Sequence, residues 1–330
     1  MRYILRRAGF YLIALWAAIT FNFIIPRLMP GDPAEAYIAK LQTQQITRAQ
    51  IDAIRAEFGV NPGVPIWKQY LDYLNGILHG NLGISTSQFP TPVGDILKQS
   101  LPWTIGLVGA ALVLSFFIGT LIGILIAWKR GSWYDTAIPP FLTFLSAIPY
   151  FWMALGLVYI FGVTLNWFPT DSGYDVFSVS PGWNFDFIGS VVQHAILPVI
   201  TLIIGSLAGW VLIMRNMMVT THSEDYVTMA EAKGLSERRV MFHYAARNAI
   251  LPSITSFSIA LGLIVSGALL TEIVFNYPGI GYSLYKAVQS DDYALVEGCF
   301  LVIALAVIFA NFLFELIYVF LDPRVRHGKS

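Results

Sequence analysis

"QSLPWTIGLVGAALVLSFFIGTLIGILIAW" occupies residues 99–128 and contains no Asp, Glu, Lys or Arg. An α-helix rises about 1.5 Å per residue, so roughly 20 apolar residues cross the hydrocarbon core of a membrane. This run is long enough to cross a bilayer as a single helix. It therefore predicts an integral membrane protein rather than a soluble domain.

Further runs of the chain are apolar in the same way. They cover residues 9–26, 136–170, 187–214, 248–271 and 298–321, the last interrupted only by Glu315. The 330 residues are 56% hydrophobic and 12% charged, whereas soluble domains average about 25% charged residues. We therefore predict an all-α integral membrane protein with six transmembrane helices.

The N-terminal segment begins with basic residues and continues into an apolar stretch, as a signal peptide does. Its apolar part is longer than a typical signal sequence, and no small-x-small cleavage site follows. We expect it to be retained as the first span. The predicted domains are an N-terminal anchor (1–30), an extracytoplasmic amphipathic segment (31–95), a five-helix transmembrane domain (96–321) and a cytoplasmic tail (322–330).

The distribution of Lys and Arg predicts the orientation of the spans. An even number of spans places both termini on one side, and short basic segments favour the cytoplasm. With cytoplasmic termini, the inner segments contain most of the 20 basic residues. These are Arg2, Arg6, Arg7, Lys129, Arg130, Arg215, Lys233, Arg238, Arg239, Arg247, Arg324, Arg326 and Lys329.

Two pairs of glycines are spaced four residues apart within the predicted spans. "GTLIG" runs from Gly119 to Gly123, and "GSLAG" runs from Gly205 to Gly209. Small residues at this spacing let helix backbones approach closely in membranes. The pairs predict helix contacts and carry little information on function.

The one sizeable inner loop gathers charge in a chain that has little of it. "AEAKGLSERRV" covers residues 230–240. Ser223 and Ser236 are candidate N-caps, and Gly234 fits a helix C-terminus. The pattern predicts two helices joined by a glycine turn, with the charge beside the turn. Such a tip is too short for an enzyme but is well shaped to enter a groove on another protein, and an ordinary basic inner loop is the alternative.

The extracytoplasmic regions each allow two interpretations. "TRAQIDAIRAEFGV" (47–60) and "PIWKQYLDYLNGIL" (65–78) have helical apolar spacing, and Pro65 suits a helix start. These helices are either a lid or docking surface, or a packing appendage. The aromatic-rich loop 166–190 is either a membrane-interface belt, which we favour, or a solute-stacking surface.

Glu315 and Glu272 are the candidate residues for a pathway or gate. An ionisable group inside a span is a functional candidate by default, and a hydrogen bond that holds the fold is the alternative. The five histidines lack metal-ligand spacing, and Cys299 is the single cysteine. We find no Ser/His/Asp or Cys/His arrangement, so no catalytic, cofactor-binding or metal-binding residue is predicted.

The charged loop is similar to the EAA loop of ABC-transporter permeases, whose tip docks on an ATPase subunit. The family pattern places Glu-Ala-Ala before a glycine and a later Leu-Pro; here Gly234 and Leu251-Pro252 match, and of the triplet only Ala230 is kept. Motifs that match this family occur along the whole chain, and they most resemble those of its dipeptide/oligopeptide/nickel branch. The motifs are "PGDPA" (30–34), "HGNLGIS" (79–85), "LPWT" (101–104), "RGSWYD" (130–135), "VFNYPGIGYSLYKAV" (274–288) and "LDPRVR" (321–326).

This resemblance implies a type I ABC importer permease in a bacterial or archaeal cytoplasmic membrane. It implies a second homologous permease, two cytoplasmic ATPase subunits and an outer solute-binding protein as partners, and no nucleic acid. ATP and magnesium would be bound by the ATPase subunits, since this sequence lacks a G-x-x-x-x-G-K-[ST] phosphate loop. The implied coupling loop is 220–250. Its expected ATPase contacts are Glu231, Ala232, Gly234, Leu235, Ser236, Glu237, Arg238 and Arg239.

Peptides are the substrate that this resemblance favours, with oligosaccharides and then nickel as alternatives. A stand-alone carrier or channel is the rival of a different class. Ion-coupled carriers usually show several buried ionisable groups, and this sequence offers essentially Glu315. A membrane-embedded enzyme would need catalytic residues within its spans.

Overall fold

The computed structural model describes residues 2–28, 38, 64–262, 264 and 268–321. Within these residues the chain is helical and forms no strand, which confirms the all-helical class. The predicted helix in 47–60 and the predicted tail 322–330 lie outside the described residues.

The described helices are numbered here in chain order. They are α1 (Arg2–Leu28), α2 (Ile66–Leu78), α3 (Val93–Trp128), α4 (Trp133–Ser146), α5 (Tyr150–Leu157, continued by a π-helix, Val158–Thr164), α6 (Phe185–His222), α7 (Asp225–Ala232), α8 (Glu237–Arg239, then a π-helix Val240–Ala246, then Arg247–Ala249), α9 (Leu251–Gly262), α10 (Leu269–Val274), α11 (Ile280–Gln289) and α12 (Tyr293–Leu321).

Two of the described helices, α3 and α6, are long and apolar enough to cross a membrane. The pair α4 and α5 would make a third span if it is taken as one bent unit. Shorter apolar helical stretches cover Gly9–Ile25, Leu251–Leu261 and Tyr293–Phe309. The structure therefore supports two or three spans by length and composition among the described residues, and the six-span count stays a prediction.

The apolar run 136–170 is not one straight helix. It divides between α4 and α5, which meet at a bend of 96°. Pro149 is the N-cap of α5. Proline has no N–H to donate and keeps the preceding residue away from helical backbone angles, so the helix ends before it and restarts beyond it.

The chain forms two compact units and passes between them several times, first within α3 after Thr104. The first unit comprises residues 1–104, 265–269 and 278–330. Its core is built from the start of α3, α11 and the start of α12, where Val93, Ile280 and Cys299 are fully buried. The Thr104 hydroxyl accepts a hydrogen bond from the Ile280 N–H (2.8 Å), which joins two of the sequence motifs.

Helix α2 packs against α1 in this unit. The Tyr70 and Thr20 hydroxyls are 2.7 Å apart, and Asn22 Nδ2 donates to the Tyr73 hydroxyl (3.0 Å). Arg27 near the end of α1 forms a 2.5 Å ion pair with Glu297 of α12. For residues 66–78 these contacts favour the packing role, and Pro65 stands at the N-cap as predicted.

Asp292 caps α12 and also anchors the segment that follows α2. Its carboxylate is buried and accepts hydrogen bonds from the Ser85 hydroxyl, the Ser87 N–H and hydroxyl (3.0 and 2.7 Å) and the Leu295 N–H (3.1 Å). Four donors on one carboxylate offset the cost of burying its charge. This explains the structural role of Ser85 in the "HGNLGIS" motif.

We expect Asp292→Asn to lower the free energy of unfolding by about 1–3 kcal/mol, because an amide cannot accept from all of these donors. The measurement is thermal unfolding of the purified chain in detergent. Asp291→Asn is the matched control: Asp291 has φ of 53°, a conformation that Asn tolerates, and we expect no loss there. Equal stability of the two variants would contradict the anchoring role.

The second unit comprises residues 105–264 and 270–277. In it α3 and α6 are in close contact at the predicted glycines. A Cβ on Gly119 would lie 2.5 Å from the Trp210 Cβ, and one on Gly123 would lie 2.8 Å from the Val211 carbonyl oxygen. The "GTLIG" prediction is thus confirmed.

The "GSLAG" pair behaves differently at its two positions. A Cβ on Gly205 would overlap the Tyr150 ring, whereas no atom of the described residues lies within 4 Å of the corresponding position at Gly209. A close contact is therefore confirmed for Gly205, and the prediction for Gly209 is not confirmed within the part of the chain that the structure describes.

Candidate functional site

The charged loop 220–250, called here the Gly234 loop, lies in the second unit and consists of two helices joined by a tight turn. Helix α7 ends at Ala232, Gly234 has φ of +72°, and α8 begins at Glu237. Helix α8 then leads through Ile250 to α9. The predicted helix, glycine turn and helix are confirmed.

The turn is a Schellman motif. The Gly234 N–H donates to the Glu231 carbonyl (2.8 Å), and the Leu235 N–H donates to the Ala230 carbonyl (3.4 Å). A left-handed glycine after the last helical residue is what this motif requires. The turn therefore has a defined shape that follows from Gly234.

Leu235 completes the turn by packing inward. It contacts a buried cluster that joins the ends of α3 and α6 nearest the loop to both loop helices. The cluster comprises Ile124, Ala127, Met214, Met218, Val227, Ala230, Val240, Met241, Ala245, Ala246 and Ala249. The base of the loop is thus a small hydrophobic core, and the side chain of Leu235 is already used within the chain.

Two details of helix capping differ from the sequence prediction. Ser223 does not cap α7: α6 continues to His222, the Ser223 hydroxyl donates to the Thr220 carbonyl (2.8 Å), and Glu224 takes the N-cap position. The apolar run understated the length of α6, which explains the error. Ser236 is the N-cap of α8 as predicted, although its side chain makes no capping hydrogen bond.

The loop tip, residues 231–239, presents most of its side chains to solvent. All of its residues except Leu235 are exposed. Among the residues that the structure describes, no acidic side chain forms a salt bridge with Arg238 or Arg239. The structure therefore places the predicted contact residues, apart from Leu235, at an exposed, charged tip above a hydrophobic base.

Sequence reasoning missed three exposed apolar side chains of the Gly234 loop. Met229 is 58% exposed, and Tyr226 and Phe242 are also exposed. Contiguous apolar patches mark protein contacts, whereas single exposed apolar residues are common, so these three side chains are only candidates for the contact surface of the loop. Met229 could have been found from helical spacing. Adjacent residues of a helix point in different directions, so Met229 does not point into the core as its neighbour Ala230 does.

A second ion pair fixes α6 just before the loop begins. Arg215 Nε donates to Asp135 Oδ1 (2.6 Å), and the other oxygen of Asp135 accepts from the Gly131 N–H (3.0 Å). Asp135 also stands in the first turn of α4, where Ser132 is the N-cap. This network explains the "RGSWYD" motif as a connection between the α3–α4 turn and α6.

The two candidate glutamates are far from this loop in sequence. Glu272 is fully buried in α10, and its carbonyl accepts from the Tyr277 N–H (2.8 Å). Burial, and secondly the charge of Glu272, raises the pKa of Tyr277 to about 12. The side chain of Glu315 in α12 lies outside the described residues. A pathway role for either residue stays a prediction.

The aromatic-rich loop 166–190 is strongly exposed at Trp183 and Phe177. Asp175 folds part of it by accepting hydrogen bonds from the N–H groups of Phe177 and Ser178 (3.0 and 3.2 Å). Hydrogen bonding with Ser178 is the main reason that the pKa of Asp175 lies below its ordinary value. Both interpretations of this loop stay predictions.

A helical chain with apolar helices of membrane-spanning length and an exposed, charged loop tip fits a membrane component that contacts another protein. Residues 119–327 match the family described as binding-protein-dependent transport system inner membrane component, and residues 1–107 match its N-terminal counterpart. The chain belongs to this family, which confirms the resemblance to ABC-transporter permeases. ATP hydrolysis in such transporters is carried out by separate subunits.

Curated relatives match the chain along its whole length. The dipeptide transport system permease of Escherichia coli (strain K12) is 34% identical over 346 residues, with 100% of both chains covered. The di/tripeptide transport system permease of Pseudomonas aeruginosa (strain UCBPP-PA14) is 33% identical over 341 residues, again with 100% of both covered. The oligopeptide transport system permease of Bacillus subtilis (strain 168) is 30% identical over 326 residues, covering 98% of this chain and 99% of the relative.

Proposed function

We propose that this chain forms half of the translocation pathway of an ATP-driven peptide importer and that the Gly234 loop receives the force of ATP binding. The observation that carries the proposal is the exposed basic tip, which stands on a buried base shared with α3 and α6. Because packed helices are close to rigid, displacement of the tip moves those helices.

In this proposal the exposed residues of the tip contact an ATPase subunit. Glu231, Ala232, Gly234, Ser236, Arg238 and Arg239 form the docking surface, with Met229 as an apolar contact. Leu235 and Glu237 belong to the same site and act through the shape of the turn. The arginines suit an acidic groove, since guanidinium groups pair well with carboxylates.

The proposed assembly contains this chain, a second homologous permease, two cytoplasmic ATPase subunits and an outer solute-binding protein. The family description supports a binding protein as partner. We infer six spans, both termini in the cytoplasm, and the type-1 transmembrane domain at 96–321. ATP and magnesium belong to the ATPase subunits, and this chain binds no cofactor.

Peptides are the proposed substrates because three full-length relatives are named as transporting dipeptides, di/tripeptides or oligopeptides. The direct check is native mass spectrometry of the solute-binding protein that co-purifies with the complex. Bound peptides would support the assignment, and bound oligosaccharide or nickel would overturn it.

The docking proposal is tested by reversing the charge of the tip. We expect Arg238→Glu/Arg239→Glu to abolish co-purification of the ATPase subunits and the stimulation of ATP hydrolysis by loaded binding protein. Both side chains are exposed, so the thermal unfolding midpoint should stay at the wild-type value.

The matched control is Lys129→Glu/Arg130→Glu, which makes the same change of charge at another exposed turn. We expect this variant to retain the ATPase subunits. Normal co-purification and stimulation in the tip variant would overturn the docking role of the Gly234 loop.

A further inference from the structure

Trp128, the last residue of α3, contacts the Gly234 loop at two points that are far apart in sequence. Its indole Nε1 donates a hydrogen bond to Glu237 Oε1 over 2.6 Å. Its ring meets the imidazole of His222 edge-on, with 5.0 Å between the ring centres. The chain leaves α6 at His222 and enters α8 at Glu237, so one side chain touches both legs of the loop.

This contact adds a connection that the covalent chain does not provide. The loop is continuous only with α6 and, through Ile250, with α9. Trp128 belongs to α3, and it packs against the same hydrophobic base as Leu235. An N–H donor on a carboxylate is a stronger hydrogen bond than a neutral pair, and the length of 2.6 Å is in keeping with that.

We propose that Trp128 is a positioning residue that joins the inner end of α3 to the loop tip through Glu237. Movement of the tip then reaches α3 through this polar contact as well as through the hydrophobic base. Glu237 acts within the chain in this arrangement, as the acceptor that holds the start of α8. The inference rests on the proposed function of the Gly234 loop as the receiver of force.

The contact between α3 and α6 gives this connection a mechanical consequence. Gly119 and Gly123 bring the two backbones so close that α3 cannot slide freely past α6. Trp128 lies at the inner end of that contact and ties it to α8. Loss of the indole N–H should therefore weaken the coupling between the loop tip and α3, while the contact between α3 and α6 stays intact.

The test uses the complete transporter in nanodiscs, with its ATPase subunits and its solute-binding protein. The readout is the ratio of ATP turnover with and without binding protein preloaded from a tryptic digest of casein. We expect Trp128→Phe and Glu237→Ala each to lower this ratio by about two- to tenfold, the size set by the loss of one net hydrogen bond. Glu237→Gln should restore most of it, because its amide oxygen still accepts from the indole.

The double variant Trp128→Phe/Glu237→Ala should lose no more than either single variant, since both remove the same interaction. Trp133→Phe is the matched control: Trp133 is 67% exposed at the start of α4, and the ratio should stay at the wild-type value. A wild-type ratio in Trp128→Phe, or losses that multiply in the double variant, would overturn the inference.

Reversal of Arg238 and Arg239 separates this inference from the proposed function. If the reversal abolishes the stimulation of ATP hydrolysis and Trp128→Phe leaves it at the wild-type level, the positioning role of Trp128 is wrong and the docking role of the loop is retained. If stimulation survives the reversal itself, the proposed function fails, and the role of Trp128 fails with it.

Discussion

Gly123→Leu is expected to prevent the chain from folding. Gly123→Ala is expected to lower its thermal unfolding midpoint measurably. A Cβ on Gly123 would lie 2.8 Å from both the Val211 carbonyl oxygen and the Met214 Cβ, and 3.1 Å from the Arg215 backbone N. Two of these neighbours are backbone atoms of α6, which cannot move aside as a flexible side chain can. Overpacking of this kind costs about 1–3 kcal/mol for small additions, and Leu adds three more carbons.

Thermal unfolding of the purified chain in detergent measures this effect, and Gly209→Ala is its control. Gly209 lies in α6, and the described part of the chain places no atom within 4 Å of the position that its Cβ would take. We expect Gly209→Ala to unfold at or above the wild-type midpoint, because alanine favours a helix over glycine. A wild-type midpoint in Gly123→Ala would show that α3 and α6 are not in close contact.

Gly234→Pro should abolish ATP-driven transport and also destabilise the loop. Proline holds φ near −65°, whereas Gly234 has φ of +72°. Proline also lacks the N–H that donates to the Glu231 carbonyl. The Schellman turn cannot form, so Leu235 leaves the hydrophobic base and the tip loses its shape. The measurement is binding-protein-stimulated ATP hydrolysis by the reconstituted transporter, which should fall to the unstimulated rate.

Gly234→Asn is the control for this change. Asparagine visits left-handed backbone conformations more readily than other side chains and keeps its N–H. A Cβ at this position would have no neighbour within 4 Å among the residues that the structure describes. We therefore expect Gly234→Asn to retain most of the stimulation, and equal loss in both variants would mean that solvent-side contacts of Gly234, rather than the turn, matter.

Much of the loop could be predicted from its residues. The left-handed turn follows from a glycine placed directly after a helical pattern, because glycine alone adopts that conformation without steric cost. The direction of Leu235 could not be predicted in the same way. An apolar residue beside a charged tip fits a partner's groove equally well, and only the cluster around Met214 and Val240 shows that it is buried within the chain.

The positions of the helices could also be predicted only in part. Apolar runs predict where helices lie, since each run must satisfy its backbone groups internally in a membrane. They do not show where a run breaks, and the bend of 96° between α4 and α5 joins two helices that composition alone does not separate. Proline allows a break or a mild kink in a membrane helix: Pro139 and Pro140 lie inside α4, whereas Pro149 stands where α5 begins.

The sequence by itself determined a helical membrane chain, its family through motifs spread over its whole length, and a charged loop built on a glycine turn. These follow from local chemistry: apolar length, backbone freedom and the identity of adjacent residues. The tertiary structure alone decided that both glycines of "GTLIG" but only Gly205 of "GSLAG" meet a neighbour, that Asp292 accepts hydrogen bonds from Ser85 and Ser87, and that Trp128 binds Glu237. Those contacts join residues distant in the chain, and their energies depend on packing that no local pattern encodes.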